Sequence, residues 1–209
     1  MDDFKRASRF FSFIALVSRP FFAGPFRLRA NGLENIPRSG GFVVAANHTS
    51  NLDPWPLGLP LFPRQMHYMA KSELYRNPVL KWVLDKGESF PVRRGERDSE
   101  AFKTAVRYAR EGGVVAMFPE GTRRKKGVRK KHAAKPHPGA ARIALAAGVP
   151  LVPAAIKGTD RISRLGPLRV TYGPPVELSD LDGRPRRDVA QIATERLMAE
   201  IEKLEASLS

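Results

Sequence analysis

The sequence predicts an α/β fold: a mixed, largely parallel sheet flanked by helices, with an N-terminal amphipathic helical segment ahead of it. Three observations carry that prediction. Apolar runs of strand length alternate with stretches whose apolar residues recur at helical spacing. The strongest strand runs each lead into a polar loop, where α/β sheets usually carry their chemistry. The chain has 209 residues and 42% hydrophobic content, enough for one domain with a sizeable core.

The elements follow in order. From Phe4 to Phe21, the residues Phe4, Ala7, Phe10, Phe11, Ile14, Val17 and Phe21 keep helical spacing, with Lys5, Arg6 and Arg9 on other faces. Such a helix either lies in a membrane interface or packs on the core, and different sides of it can do each. We assign residues 1–30 to this membrane-association segment and 31–209 to the main domain. "FVVAA" (42–46), "QMHYMA" (65–70), "SFPV" (89–92), "VVAMF" (114–118), "PLVPAAI" (150–156) and "LRVTY" (168–172) read as strands. Residues 77–85, 98–111, 139–148 and 186–208 read as helices, with Asp98 an expected N-cap and Gly148 an expected stop.

Composition narrows the function. A formal net charge of +15 favours polyanions: nucleic acid, an anionic membrane or phosphorylated substrates. There is no cysteine, which excludes disulfides, thiolate nucleophiles and cysteine zinc sites. The longest early apolar run, Phe10–Val17, falls far short of the roughly 20 residues that span a bilayer. The start is acidic and lacks a convincing cleavage site, so it reads as retained.

Three loops hold the candidate chemistry. In "NHTSNLD" (47–53), His48 suits a general base and Asp53 can fix its tautomer. Taken alone, the motif reads better as a helix cap at Asp53 followed by a first-turn proline at Pro54. Ser50 reads as a turn hydroxyl. In "GESFPVRRG" (87–95), paired arginines between glycines can fork onto a phosphate or form a solvated basic turn. In "FPEGTRR" (118–124), a strand delivers Glu120, Gly121, Thr122 and Arg123 together. Glu120 can bond substrate hydroxyls and Arg123 can pair with phosphate, or the two can pair with each other.

In this order the loops resemble the glycerolipid acyltransferase family, typified by 1-acylglycerol-3-phosphate acyltransferases. "NHTSNLD" matches its H-x-x-x-x-D motif, and "GESFPVRR" its glycine-to-arginine block with Arg94 at the family arginine. "FPEGTR" matches its third block and "GVPLVPAAI" (148–156) its fourth. The resemblance runs from about residue 32 to 175. It departs at Arg93, where many relatives are acidic, and at Arg124, where many carry a small polar residue.

The resemblance implies a glycerolipid-acyltransferase-like fold, with 31–209 as the acyltransferase domain. It implies that His48, oriented by Asp53, deprotonates the free hydroxyl of 1-acylglycerol-3-phosphate. The oxygen then attacks the thioester of acyl-CoA or acyl-carrier protein, without an acyl-enzyme, to give phosphatidate in phospholipid biosynthesis. Arg94 would hold the acceptor phosphate, and Glu120, Gly121, Thr122 and Arg123 would complete the acceptor site. The same motifs fit other acceptors: glycerol-3-phosphate, a lyso-ornithine lipid or a glycolipid. Backbone N–H groups of the helix after Pro54 are the candidate oxyanion donors. The expected partners are a lysophospholipid, the acyl donor and an anionic membrane surface, with the protein peripheral or monotopic on the cytoplasmic face. Neither a cofactor nor a metal is expected; His132 and His137 sit among cations that repel a metal, and His67 reads as structural.

The run "RRKKGVRKKHAAKPHP" (123–138) has no acidic residue and suits anionic headgroups, CoA phosphates or an acidic carrier protein. A nucleic-acid-binding protein would account for the charge but not for the His–Asp turn, "FPEGTR" or the aromatic start, and no nucleic acid is expected. A catalytically silent membrane-binding relative is a third reading, although every expected polar residue is present.

Overall fold

The computed structural model describes residues 3–93, 98–120, 136–181 and 183–208. Among these, seven strands form one sheet: β1 (Arg29–Asn31), β2 (Phe42–Ala46), β3 (Met66–Lys71), β4 (Phe90–Val92), β5 (Val114–Met117), β6 (Leu151–Lys157) and β7 (Arg169–Tyr172). Their order across the sheet is β1-β7-β6-β2-β5-β3-β4. The five strands from β6 to β4 are parallel. At the other edge β7 runs antiparallel to β6, and β1 pairs parallel to β7. The sheet is therefore mixed and largely parallel, as the periodicity predicts.

Among the described residues six α-helices accompany it: α1 (Arg9–Ala23), α2 (Pro54–Gly58), α3 (Pro78–Lys86), α4 (Ser99–Arg110), α5 (Gly139–Ala147) and α6 (Arg186–Ser207). The central strand β2 is buried at all five positions, which is why it reads as a continuous apolar run. Val43 and Ala45 join one core cluster with Val115 and the buried faces of α4, α5 and α6. Phe42, Val44 and Ala46 join the other, with Leu57 of α2, Val114 and Tyr172. The caps are those the residues favour. Asp98 accepts from the Ala101 N–H at 3.0 Å, and Gly148 ends α5 at φ 69°, in the left-handed region.

The first helix differs from the prediction. It begins at Arg9, not Phe4, with the Ser8 hydroxyl capping Phe11 N–H. Residues 4–8 are instead tied down by backbone bonds: Lys5 N–H to Gly112 O, Gln65 N–H to Lys5 O and Ala7 N–H to Pro63 O. Lys5 O, taken by Gln65, is thereby denied to the Arg9 N–H that a helix from Phe4 would bring to it. The end of α1 and the turn after it pack inward, with Phe22 and Phe26 buried on Leu168 and Trp55. No helix among the described residues is long and apolar enough to cross a membrane.

Candidate active site

β2, β5 and β6 are adjacent and parallel, so the loops that leave their C-terminal ends open on one edge of the sheet. That edge is where open α/β sheets bind ligands. Asn47 anchors it: its side-chain oxygen accepts from Ile156 N–H at 2.7 Å, and its amide donates to Ile156 O at 2.9 Å. The next residue, His48, thus leaves the sheet from a fixed point.

His48 and Asp53 meet. Nδ1 of His48 lies 2.7 Å from Oδ2 of Asp53. The same Oδ2 accepts the backbone N–H groups of Thr49 at 2.7 Å and Ser50 at 2.8 Å, and Oδ1 accepts the Thr159 hydroxyl at 2.5 Å. Asp53 is fully buried and His48 nearly so, 8% exposed. Burial by itself would raise the Asp53 pKa, but the bonds from His48, Ser50, Thr159 and Thr49 outweigh it and hold the carboxyl below its ordinary value. An ionised carboxylate only accepts, so Nδ1 of His48 is the donor and carries a proton. In the neutral ring Nε2 is left as the acceptor, the form a general base requires.

Asp53 occupies the cap position of α2 but makes no capping bond onto it. The reading of Asp53 as a helix cap is corrected: Asp53 has helical φ and ψ, and its carboxylate turns back onto the preceding turn. The first positions of α2 also offer no oxyanion donor. Pro54 and Pro56 lack an N–H, and those of Trp55 and Leu57 are bonded to Leu52 O and Asp53 O.

Phe118, at the end of β5, stacks on the His48 ring with centroids 4.2 Å apart and planes 19° from parallel. The sequence model of the family described as Acyltransferase matches residues 27–157, a span that holds this whole arrangement except Thr159. The chain is 35% identical over 178 residues to a 1-acyl-sn-glycerol-3-phosphate acyltransferase of Bacillus subtilis, covering 84% of this chain and 86% of that one. It is 30% identical over 169 residues to a chloroplastic 1-acyl-sn-glycerol-3-phosphate acyltransferase of Arabidopsis thaliana, covering 79% of this chain but 45% of the plant protein. Among solved structures, the 1-acyl-sn-glycerophosphate acyltransferase PlsC from Thermotoga maritima matches with a TM-score of 0.68 and 26% identity, over 92% of this chain and 78% of that one. The chain belongs to the acyltransferase family.

Other parts of this acyltransferase hold the pair in place. Tyr68 of β3 donates its hydroxyl to Pro54 O at 2.7 Å, and Tyr172 of β7 donates to Leu57 O at 2.7 Å. These two bonds pin α2, and hence Asp53, to the sheet. Gly58 makes room for one of them, because a Cβ there would sit 2.1 Å from the Tyr68 hydroxyl. Ser50 is a turn residue, its Oγ accepting from Leu52 N–H at 3.2 Å.

Glu120 lies half-buried two positions beyond Phe118, past the C-terminal end of β5. Arg94, Gly121, Thr122, Arg123 and most of the basic run lie outside the described residues. Pro119 O accepts from His137 N–H at 2.8 Å, which joins the chain on either side of 121–135. His67 is fully buried in β3 and stacked on Tyr108, with centroids 3.8 Å apart. Among the described residues no group of three or more potential metal ligands comes together. Thr159, Phe118, Tyr68 and Tyr172 were not identified from sequence. Phe118 opens the FPEGTR block, and Thr159 has a local cue in the glycine turn after a strong strand.

Proposed function

We propose that this acyltransferase moves a fatty acyl group from acyl-CoA or acyl-carrier protein to the free hydroxyl of 1-acylglycerol-3-phosphate, giving phosphatidate. The observation that carries the reading is the buried His48–Asp53 pair, with Nδ1 on the carboxylate and Nε2 left as the acceptor. Nε2 takes the hydroxyl proton as the oxygen attacks the thioester carbonyl. The C–S bond then breaks and the imidazolium returns its proton to the leaving thiolate. Asp53 balances the transient charge without itself becoming protonated.

Direct transfer fits a chain with no cysteine and a Ser50 occupied in its turn. The step calls on no cofactor. Arg94 would hold the acceptor phosphate, and Glu120, Gly121, Thr122 and Arg123 would frame the glycerol. The names of the bacterial and plant relatives support this acceptor over glycerol-3-phosphate, a lyso-ornithine lipid or a glycolipid.

The protein would work peripherally on an anionic membrane, on its cytoplasmic face. Two helices support the membrane contact. Phe13, Leu16, Val17 and Phe21 of α1 and Val79, Leu80, Trp82 and Val83 of α3 are exposed. Phe10 meets Trp82 edge-on at 5.4 Å, linking the two sets, and Arg9, Arg19 and Lys86 are exposed on the same helices. Apolar side chains with basic flanks suit a lipid interface.

The test is an acyl-transfer assay of the purified protein, crossing a panel of acceptors with acyl-CoA and acyl-carrier protein. 1-Acylglycerol-3-phosphate should be the preferred acceptor. His48→Ala should lower turnover by at least about 10²-fold, the low end for a positioned base. Near-normal turnover in that variant would sink the assignment.

A further inference from the structure

Thr159 lies in the turn after β6, two residues beyond the family match and 106 residues from Asp53 in sequence. It is 1% exposed. Its hydroxyl has one proton, and the 2.5 Å bond to Oδ1 of Asp53 uses it, because an ionised carboxylate cannot donate. The Thr49 hydroxyl lies 3.0 Å from the Thr159 oxygen. With the Thr159 proton committed, Thr49 is the donor in that contact. The result is one directed chain: Thr49 O–H to Thr159, Thr159 O–H to Asp53 Oδ1, and His48 Nδ1–H to Asp53 Oδ2.

Each oxygen of the carboxylate therefore has its own task. Oδ2 holds His48 and closes the turn through Thr49 and Ser50, and Oδ1 is fixed by Thr159. A carboxylate held at both oxygens cannot swing about its own axis, so the imidazole keeps its aim. We propose that Thr159 is a positioning residue for acyl transfer, setting through Asp53 both the orientation and the proton affinity of His48. This extends the acyl-transfer reading given above. A purely structural threonine would fill space and satisfy Thr49 without touching the carboxylate. The contact with Oδ1 is what separates the two roles.

Lys157, Asp160 and Glu205 line a small cleft with Asn47 and Thr49 of this chain. Lys157 donates to Leu208 O and Glu205 accepts from Asn47. All three stay unchanged in the test. Thr159→Val keeps the shape and removes the hydroxyl, whereas Thr159→Ser keeps the hydroxyl. Without its donor, Asp53 binds a proton more strongly and pulls harder on the His48 Nδ1–H. The acid limb of the kcat/KM profile should then move to higher pH. In Thr159→Val, kcat should fall about tenfold, the scale of one hydrogen bond to a charged group, with both KM values unchanged. Thr159→Ser should restore the wild-type limb and most of kcat.

An acid limb at the wild-type pH in folded Thr159→Val, whatever its kcat, would assign the residue to packing and overturn the proposal. Should the valine variant not accumulate as folded protein, Thr159→Ala takes its place. NMR titration of the His48 ring in the same variants, without substrate, should show the same displacement. A wild-type titration there overturns the proposal independently of any turnover. Absence of acyl transfer in the wild-type protein would instead sink the reading on which it rests.

Discussion

The Phe118 ring lies nearly parallel to that of His48, 4.2 Å between centroids. One face of the imidazole is thus covered by an apolar side chain from β5, while its edge is held by Asp53 from the turn after β2. The two contacts come from different parts of the chain and restrict different motions. Phe118 limits tilting of the ring, and Asp53 limits its rotation. Phe118→Ala should lower kcat about tenfold through lost positioning. Phe118→Tyr, which keeps a ring there, should retain most of it. Steady-state kinetics on both variants decide the matter, and equal activity of the alanine variant would leave the stack without a catalytic role.

Asp53→Asn probes charge rather than geometry. The amide oxygen can still face the three donors at Oδ2, so the turn is expected to close and the protein to fold. What disappears is the negative charge that stabilises the imidazolium as His48 takes a proton. The expected loss is about 10³-fold in kcat, between a single base contribution and the loss seen when a triad carboxylate is neutralised. Circular dichroism should show a folded protein. Substantial turnover would mean that Asp53 serves the turn alone.

How much of this was legible in the sequence depended on distance along the chain. The strands β2, β5 and β6 and the helices α4, α5 and α6 announce themselves through local apolar periodicity and caps such as Asp98. β1 does not: it has three residues, only the middle one partly buried, and owes its existence to β7. The reversal of β7 is likewise invisible locally, because direction is set by its pairing with β6. The start of α1 is not legible locally, because Phe4 and Ala7 continue the apolar spacing while their segment is pinned to 63–65 and 112. In the site, His48 and Asp53 sit within one turn, and their pairing follows from spacing. Phe118 and Thr159 reach it only through the sheet.

His67 makes stability depend on pH. Burial pushes its pKa down from the ordinary 6.5 to about 4, against the raising effect of its bond to Glu88 O, 3.0 Å from Nδ1. Among the described residues its Nε2 has no hydrogen-bond partner, consistent with a neutral ring. The folded state thus binds fewer protons than the unfolded chain between about pH 6.5 and 4. The contribution is fully present above 6.5 and is lost as pH falls towards 4, about 3 kcal/mol in all. Asp53 also has a depressed pKa, but its loss lies below the ordinary 3.8, outside this window. Urea unfolding at pH 7 and 4.5 should show the drop, and His67→Phe should flatten it. An equal drop in His67→Phe would place the acid sensitivity elsewhere.

The apolar face of α1 and α3 offers a prediction independent of the chemistry. Phe13 is 61% exposed and Trp82 55%, so neither contributes much to the folded core. Phe13→Ala should change stability by less than about 0.5 kcal/mol, as for surface substitutions in general, and Trp82→Ala by about 1 kcal/mol through its lost contact with Phe10. On a membrane the same side chains would leave water. Losing even half the transfer energy of one large apolar side chain, about 1–1.5 kcal/mol, weakens partitioning about tenfold. Phe13→Ala and Trp82→Ala should each reduce binding to anionic vesicles by about that factor, and the double variant by more. This loss should persist at high salt, where contributions from Lys125, Lys126, Lys130 and Lys131 are screened. Sedimentation with vesicles of mixed anionic and zwitterionic lipid, at low and high salt, separates the two terms. If the double variant binds like wild type at high salt, the face formed by α1 and α3 does not meet the membrane.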